Sequence, residues 1–137
     1  MKPFLLASIL LLSACVAPSG KDTLASADPF TPVRVVLETN CVHCHGDNRL
    51  STMPSIHNTQ ALAKLIGTHW IVPGKPEGSR FFQVVTFPDE IPGAMPPSGH
   101  AISKREVQIL RDWIQTGAKL PAANITLHPR GELPRSI

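Results

Sequence analysis

The chain contains no tyrosine, and Phe and Trp together make up only 5% of its 137 residues. A small domain with so little aromatic bulk has limited means of filling a core, and usually gains from a disulfide, a metal or a cofactor. Lys and Arg are never clustered. The net charge is +3, but there is no basic run and no basic aromatic motif, which excludes nucleic acid as a partner. Apolar runs of membrane-spanning length are missing too, since crossing a bilayer takes roughly 20 residues. No internal repeat and no convincing alternating strand pattern is present, so the chain is expected to fold as an all-α domain.

Cysteine is scarce and odd in number. Of the three, Cys15 lies far from Cys41 and Cys44, so it needs its own explanation. The chain opens MKPFLLASILLLSAC, with Lys2, an apolar run from Phe4 to Leu12, and the small pair Ser13-Ala14. This pattern is that of a secretory leader. Leu12-Ser13-Ala14-Cys15 also resembles the lipobox of bacterial lipoproteins. That resemblance implies cleavage after residue 14 and lipidation of Cys15, with the acyl chains holding the protein to a membrane. It implies a periplasmic, lipid-anchored location. Val16, where an aspartate often signals inner-membrane retention, favours the outer membrane.

Residues 15–30 are rich in Ala, Pro, Ser and Gly and read as a tether; a flexible coil of about 15 residues reaches roughly 20 Å. Residues 119–137 carry Pro121, Pro129 and Pro134 without helical or alternating pattern, and are expected to be an irregular, loose or surface-wrapping tail. Asn124-Ile125-Thr126 matches a glycosylation sequon, which carries no weight in a bacterial lipoprotein. Residues 31–118 remain for one domain of three to four helices.

Thr31-Pro32 predicts an N-cap and first-turn proline, with Val33, Val36 and Leu37 in helical spacing and Gly46 at a possible end. Asn58 predicts a short helix presenting Leu62, Leu65 and Ile66, stopped by Gly67. The stretch SRFFQVVTF suits either a helix after Ser79 or a strand, and helix is preferred. The best-marked element is ISKREVQILRDWIQTGA, with a Ser103/Glu106 capping box, an Ile102/Val107 staple, an apolar face of Val107, Leu110 and Ile114, and Gly117 as the stop.

The chemistry concentrates in NCVHCHGDNRL, residues 40–50. On a helix Cys41, Cys44 and His45 are three and four apart and share a face. Two thiols can each add to a vinyl group of haem while the adjacent imidazole reaches the iron, and C-x-x-C-H is read in this way. A redox dithiol would favour a βαβ setting near a helix start. A structural zinc site needs four ligands, and no second Cys/His pair follows at regular spacing. Both alternatives are less well supported. His43, between the cysteines, points elsewhere and is assigned to the surface.

After CVHCHG come IVPGKPEGSRF, AMPPSG and REVQILRDWIQTGA in that order. Over Val33 to Ala118 this series resembles class I cytochromes c, and in particular the small planctomycete-type cytochrome c domains. The resemblance implies one haem c bound through Cys41 and Cys44, His45 as proximal ligand and Met95 as second axial ligand. It also implies a first and last helix crossing near the haem edge, with Trp113 as an aromatic contact. Met95 sits among Pro92, Gly93, Pro96 and Pro97, whose restricted backbone would hold its sulfur in place. Met53 is a second candidate, only eight residues past His45; His57, His69 and His100 are weaker.

The function expected on this basis is single-electron transfer in the bacterial cell envelope, with other redox proteins as partners, rather than enzymatic turnover. The alternatives are a peroxidase-like haem enzyme or gas sensor with an open distal position, or a subunit of a larger periplasmic oxidoreductase. No Arg/His pair marks a distal site in the sequence.

Overall fold

The computed structural model of the chain describes residues 28–47, 49, 51–97 and 100–131. The leader, Cys15 and most of the tether lie outside the described residues. Among the described residues there are five helices and no strand: α1 (Phe30–Asn40), α2 (Val42–His45), α3 (Thr59–Ala63), α4 (Arg80–Thr86) and α5 (Lys104–Gln115). None is long and apolar enough to cross a membrane.

Helix α1 starts two residues earlier than Thr31-Pro32 implies, at Phe30 with Pro29 as N-cap. The Asp28 carboxylate accepts from the Phe30 N–H at 3.1 Å and its carbonyl accepts from the Thr31 N–H at 2.9 Å, so two N–H groups of the first turn find acceptors in Asp28. Phe30 therefore belongs to the domain and not to the tether. It is 1% exposed and meets Trp113 of α5 with ring centroids 6.3 Å apart. Val33, Val36 and Leu37 of α1 join Leu110, Trp113 and Ile114 of α5 in one buried cluster. Each such side chain contributes about 1.5–3 kcal/mol on full burial, and this crossing is the backbone of the fold.

The helix expected to run unbroken into the cysteine motif divides at Cys41, whose φ of −121° departs from helical geometry. Its N–H still reaches the Leu37 carbonyl at 2.9 Å, while its own carbonyl accepts from Cys44 and His45 at 3.1 and 2.9 Å. The single turn of α2 thus restarts from Cys41, which is why five helices stand where three to four were expected. Gly46 follows; a Cβ there would lie 2.6 Å from the Val42 carbonyl oxygen, so only glycine fits.

In α3 the Asn58 side chain accepts from Ala61 N at 2.7 Å, as its capping role predicts. The helix proper stops at Ala63, and Leu65 and Ile66 continue in tighter turns bonded to Leu62 and Ala63. Helix α4 follows Ser79, whose hydroxyl does not cap it. Instead Ser79 is fully buried, donating to the Lys75 carbonyl at 2.8 Å and accepting from Val72 N at 2.9 Å. The capping box of α5 is complete, and Gly117 takes the left-handed φ of +103° that ends it.

Past Ala118 the chain is irregular but packed, so the domain extends beyond that residue. Leu127 is 3% exposed, and its N–H donates to the His57 carbonyl at 2.8 Å. Further on, Arg130 pairs with Glu38, which Arg34 also holds at 2.8 Å. Burial works to raise the Glu38 carboxyl, but the hydrogen bonds from Arg130, Arg34 and the His128 N–H outweigh it and hold the group below its ordinary value.

Candidate functional site

Between α2, α4 and the loop that precedes α5 lies a cavity of about 340 Å³. Cys41, Cys44 and His45 all line it, and so does Met95. The break at Cys41 and the turn of α2 bring the first three together. Both thiols are free, Cys41 partly buried and Cys44 exposed.

The His45 ring is held by its surroundings. Nδ1 lies 2.9 Å from the Pro54 carbonyl oxygen. A carbonyl only accepts, so Nδ1 carries the hydrogen, which in the neutral ring leaves the lone pair on Nε2. The same short segment is tied to the His45 backbone, since Ile56 N donates to the His45 carbonyl at 3.0 Å. Pro54 could not have been picked out from the sequence, where nothing marks which carbonyl the imidazole meets.

Helix α4 explains the ambiguous SRFFQVVTF pattern. Phe82 is buried in the main core, beneath the Arg111 guanidinium at 5.8 Å. Phe81, Val84 and Val85, at spacings of three and four, line the cavity instead. The helix is apolar on two faces because it serves two interiors, which blurs its periodicity in sequence. Trp70 lines the cavity as well, and the Phe81 N–H reaches its carbonyl at 2.9 Å.

Met95 is placed by backbone bonds. Its N–H donates to the Val84 carbonyl at 2.8 Å, and Ala94 N donates to the Ile91 carbonyl at 3.0 Å across a turn that requires Gly93 at φ +91°. Ala94 and Pro96 on either side are buried. Met53, the second candidate, lines the cavity too. His57, His69 and His100 do not line the cavity, and neither does His43, whose Nε2 is 3.2 Å from the Arg130 carbonyl.

The lining is largely apolar, and Arg80 is the one cationic side chain among the described lining residues. Asn40 lines it from the residue before Cys41 and donates to Glu106 Oε1 at 2.9 Å. Burial tends to raise the Glu106 carboxyl, yet hydrogen bonds from the Ser103 hydroxyl and N–H and from Asn40 together lower it below its ordinary value. The Cys41 thiol is pushed up to about 12 by burial, reinforced by the charges of Glu106 and Cys44. A thiol so high is not a thiolate at neutral pH, which is the opposite of what a redox dithiol requires. Among the described residues no group of three or more His, Cys, Asp or Glu side chains is arranged to hold a metal by itself.

Residues 41–99, from the first motif cysteine to just past the Met95 loop, match the family model described as planctomycete cytochrome C. Over these residues the chain holds a planctomycete-type cytochrome c-like domain. No curated protein and no solved structure matches the chain significantly. The match points to haem binding and electron transfer. The donor set of the cavity suits a haem on its own terms: two free thiols and an imidazole whose Nδ1 is engaged by the Pro54 carbonyl line an apolar space.

Proposed function

We propose that this cytochrome c domain is a monohaem electron carrier of the bacterial cell envelope, with the haem bound through Cys41 and Cys44 and its iron ligated by His45 and Met95. The observation that carries this reading is the convergence of those four side chains on one apolar cavity from separate parts of the chain. Haem supplies a centre that cycles between ferric and ferrous states by one electron. One electron enters from a donor protein and the same electron leaves to an acceptor protein, and no bond of any substrate changes.

Attachment is redox-neutral. Cys41 and Cys44 would hold the haem as thioethers, each thiol adding across one vinyl group with its sulfur on the carbon nearest the ring and its hydrogen on the terminal carbon. Pro54 holds the His45 ring so that Nε2 is the nitrogen available to iron. The Val84 carbonyl and the buried neighbours Ala94 and Pro96 hold Met95, so presenting its thioether costs little further ordering. Arg80 offers a guanidinium to the carboxylates that haem carries at its edge. Met53, only eight residues past His45, is assigned to packing in the cavity wall. Lipid on Cys15 would keep the carrier at the membrane, with the outer membrane favoured by Val16.

The test is optical. With Met95 bound, the ferric protein should show the weak long-wavelength sulfur-to-iron charge-transfer band and the ferrous protein should resist carbon monoxide. Met95→Ala should abolish both and lower the reduction potential, because the soft thioether favours ferrous iron, while Met53→Ala should leave them in place. Ready binding of carbon monoxide by the unaltered protein would instead establish an open distal position, and with it the enzyme or sensor reading.

A further inference from the structure

Two carboxylates flank the cysteine motif, and their surroundings differ. Glu38, one turn before Cys41, is matched by two guanidinium groups, those of Arg34 and Arg130. Glu106 is held only by neutral donors. Its Oε1 accepts from the Asn40 amide at 2.9 Å, and its Oε2 accepts from the Ser103 N–H at 2.8 Å and the Ser103 hydroxyl at 2.7 Å. No ion pair to Glu106 is present among the described residues. The amide of Asn40 lines the cavity and precedes Cys41, so Glu106 stands one hydrogen bond from the cavity wall, close enough for its charge to act on the Cys41 sulfur.

We infer that Glu106 sets the reduction potential of the bound haem, its uncompensated negative charge favouring the ferric state. The inference rests on the haem reading above. A fixed anion beside a redox centre stabilises the form with one more positive charge, and does so more strongly away from bulk water. The positive end of the α5 dipole lies at the same place and offsets part of this field, but it is unchanged when only the carboxylate is neutralised. Glutamine is also an accepted partner in a capping box, its single carbonyl oxygen accepting from the Ser103 N–H as Oε2 does, at the cost of the Asn40 bond. Glu106→Gln therefore removes charge while preserving the fold.

Potentiometric titration of the full-length haem-loaded protein tests this. Glu106→Gln should shift the ratio of oxidised to reduced protein about tenfold at a given potential, which is a rise of about 59 mV for one electron. Glu106→Ala, a second removal of the charge, should rise likewise, and Glu106→Asp should remain near the unaltered value. Ser103→Ala, which breaks the cap and leaves the charge, should lose stability without that rise. An unmoved or lowered potential in Glu106→Gln or Glu106→Ala with the haem spectrum intact overturns the role of Glu106 alone. A chain that takes up no haem in any form overturns the parent reading and this one together.

Discussion

His45 donates its Nδ1 hydrogen to the Pro54 carbonyl oxygen across 2.9 Å. Nine residues of sequence separate them, and Ile56 closes the same loop by bonding to the His45 carbonyl at 3.0 Å. The pair fixes both the tautomer and the direction of the ring, and a hydrogen bond of this kind raises the basicity of the ligating nitrogen.

The Nδ1 proton should therefore be visible by NMR in the diamagnetic ferrous protein and exchange slowly with solvent. Pro54→Gly frees the backbone that carries the acceptor, and should speed that exchange several-fold while leaving the haem attached. Exchange as fast in the unaltered protein as in the variant would show that the bond does not persist.

Cofactor and core are expected to be linked. The cavity is walled by Phe81, Val84, Val85, Leu65 and Trp70, apolar groups that need something to cover them. Chains with Cys41→Ser and Cys44→Ser together should lose cooperative unfolding and become protease-sensitive. A sharp thermal transition with native helix content in that haem-free chain would contradict this and reopen the thiol and zinc readings.

Glu38 links α1 to the tail. Its folded pKa lies below the ordinary 4.5, so the unfolded chain binds its proton first as the pH falls. The stability it contributes is thus fully present above about 4.5 and is lost as the pH drops through the lower folded value. Glu38→Gln should cost about 1–3 kcal/mol at pH 7, the range for unmaking buried hydrogen bonds to a charged group. The gap between variant and unaltered protein, read from denaturant midpoints, should narrow on acidification. A gap independent of pH would mean that the clamp does not depend on the carboxylate charge.

The parts of this molecule legible in sequence are those specified by local chemistry. Ser103 and Glu106 announce the start of α5 because both halves of a capping box lie within one turn, and Asn58 marks α3 for the same reason. Cys41, Cys44 and His45 are readable because three adjacent reactive groups have few uses. What the sequence did not disclose depends on distant partners. Asp28 replaces Thr31 at the head of α1, and the break at Cys41 leaves no residue signature. The tail bonds through Leu127 and Arg130 to residues some seventy to ninety positions earlier. Met53 ranks below Met95 as a candidate ligand because it lies only eight residues past His45, and nothing in the sequence marks it as a lining residue of the same cavity.

Lipidation lies outside the described residues and is tested in the cell. Cys15→Ser should move the domain to the soluble envelope fraction or block its processing, with the haem spectrum unchanged. Retention of a processed Cys15→Ser chain in the membrane would show that another element anchors it.

Covalent attachment of a single haem through Cys41 and Cys44 is the claim on which the rest depends. The direct measurement is the intact mass of the protein matured in an envelope competent for haem attachment, taken after denaturation and acidic organic extraction. The account predicts a chain heavier by one haem, with Cys41→Ser and Cys44→Ser together leaving none. An unmodified chain mass, or haem that is fully extracted from the unaltered protein, would contradict it.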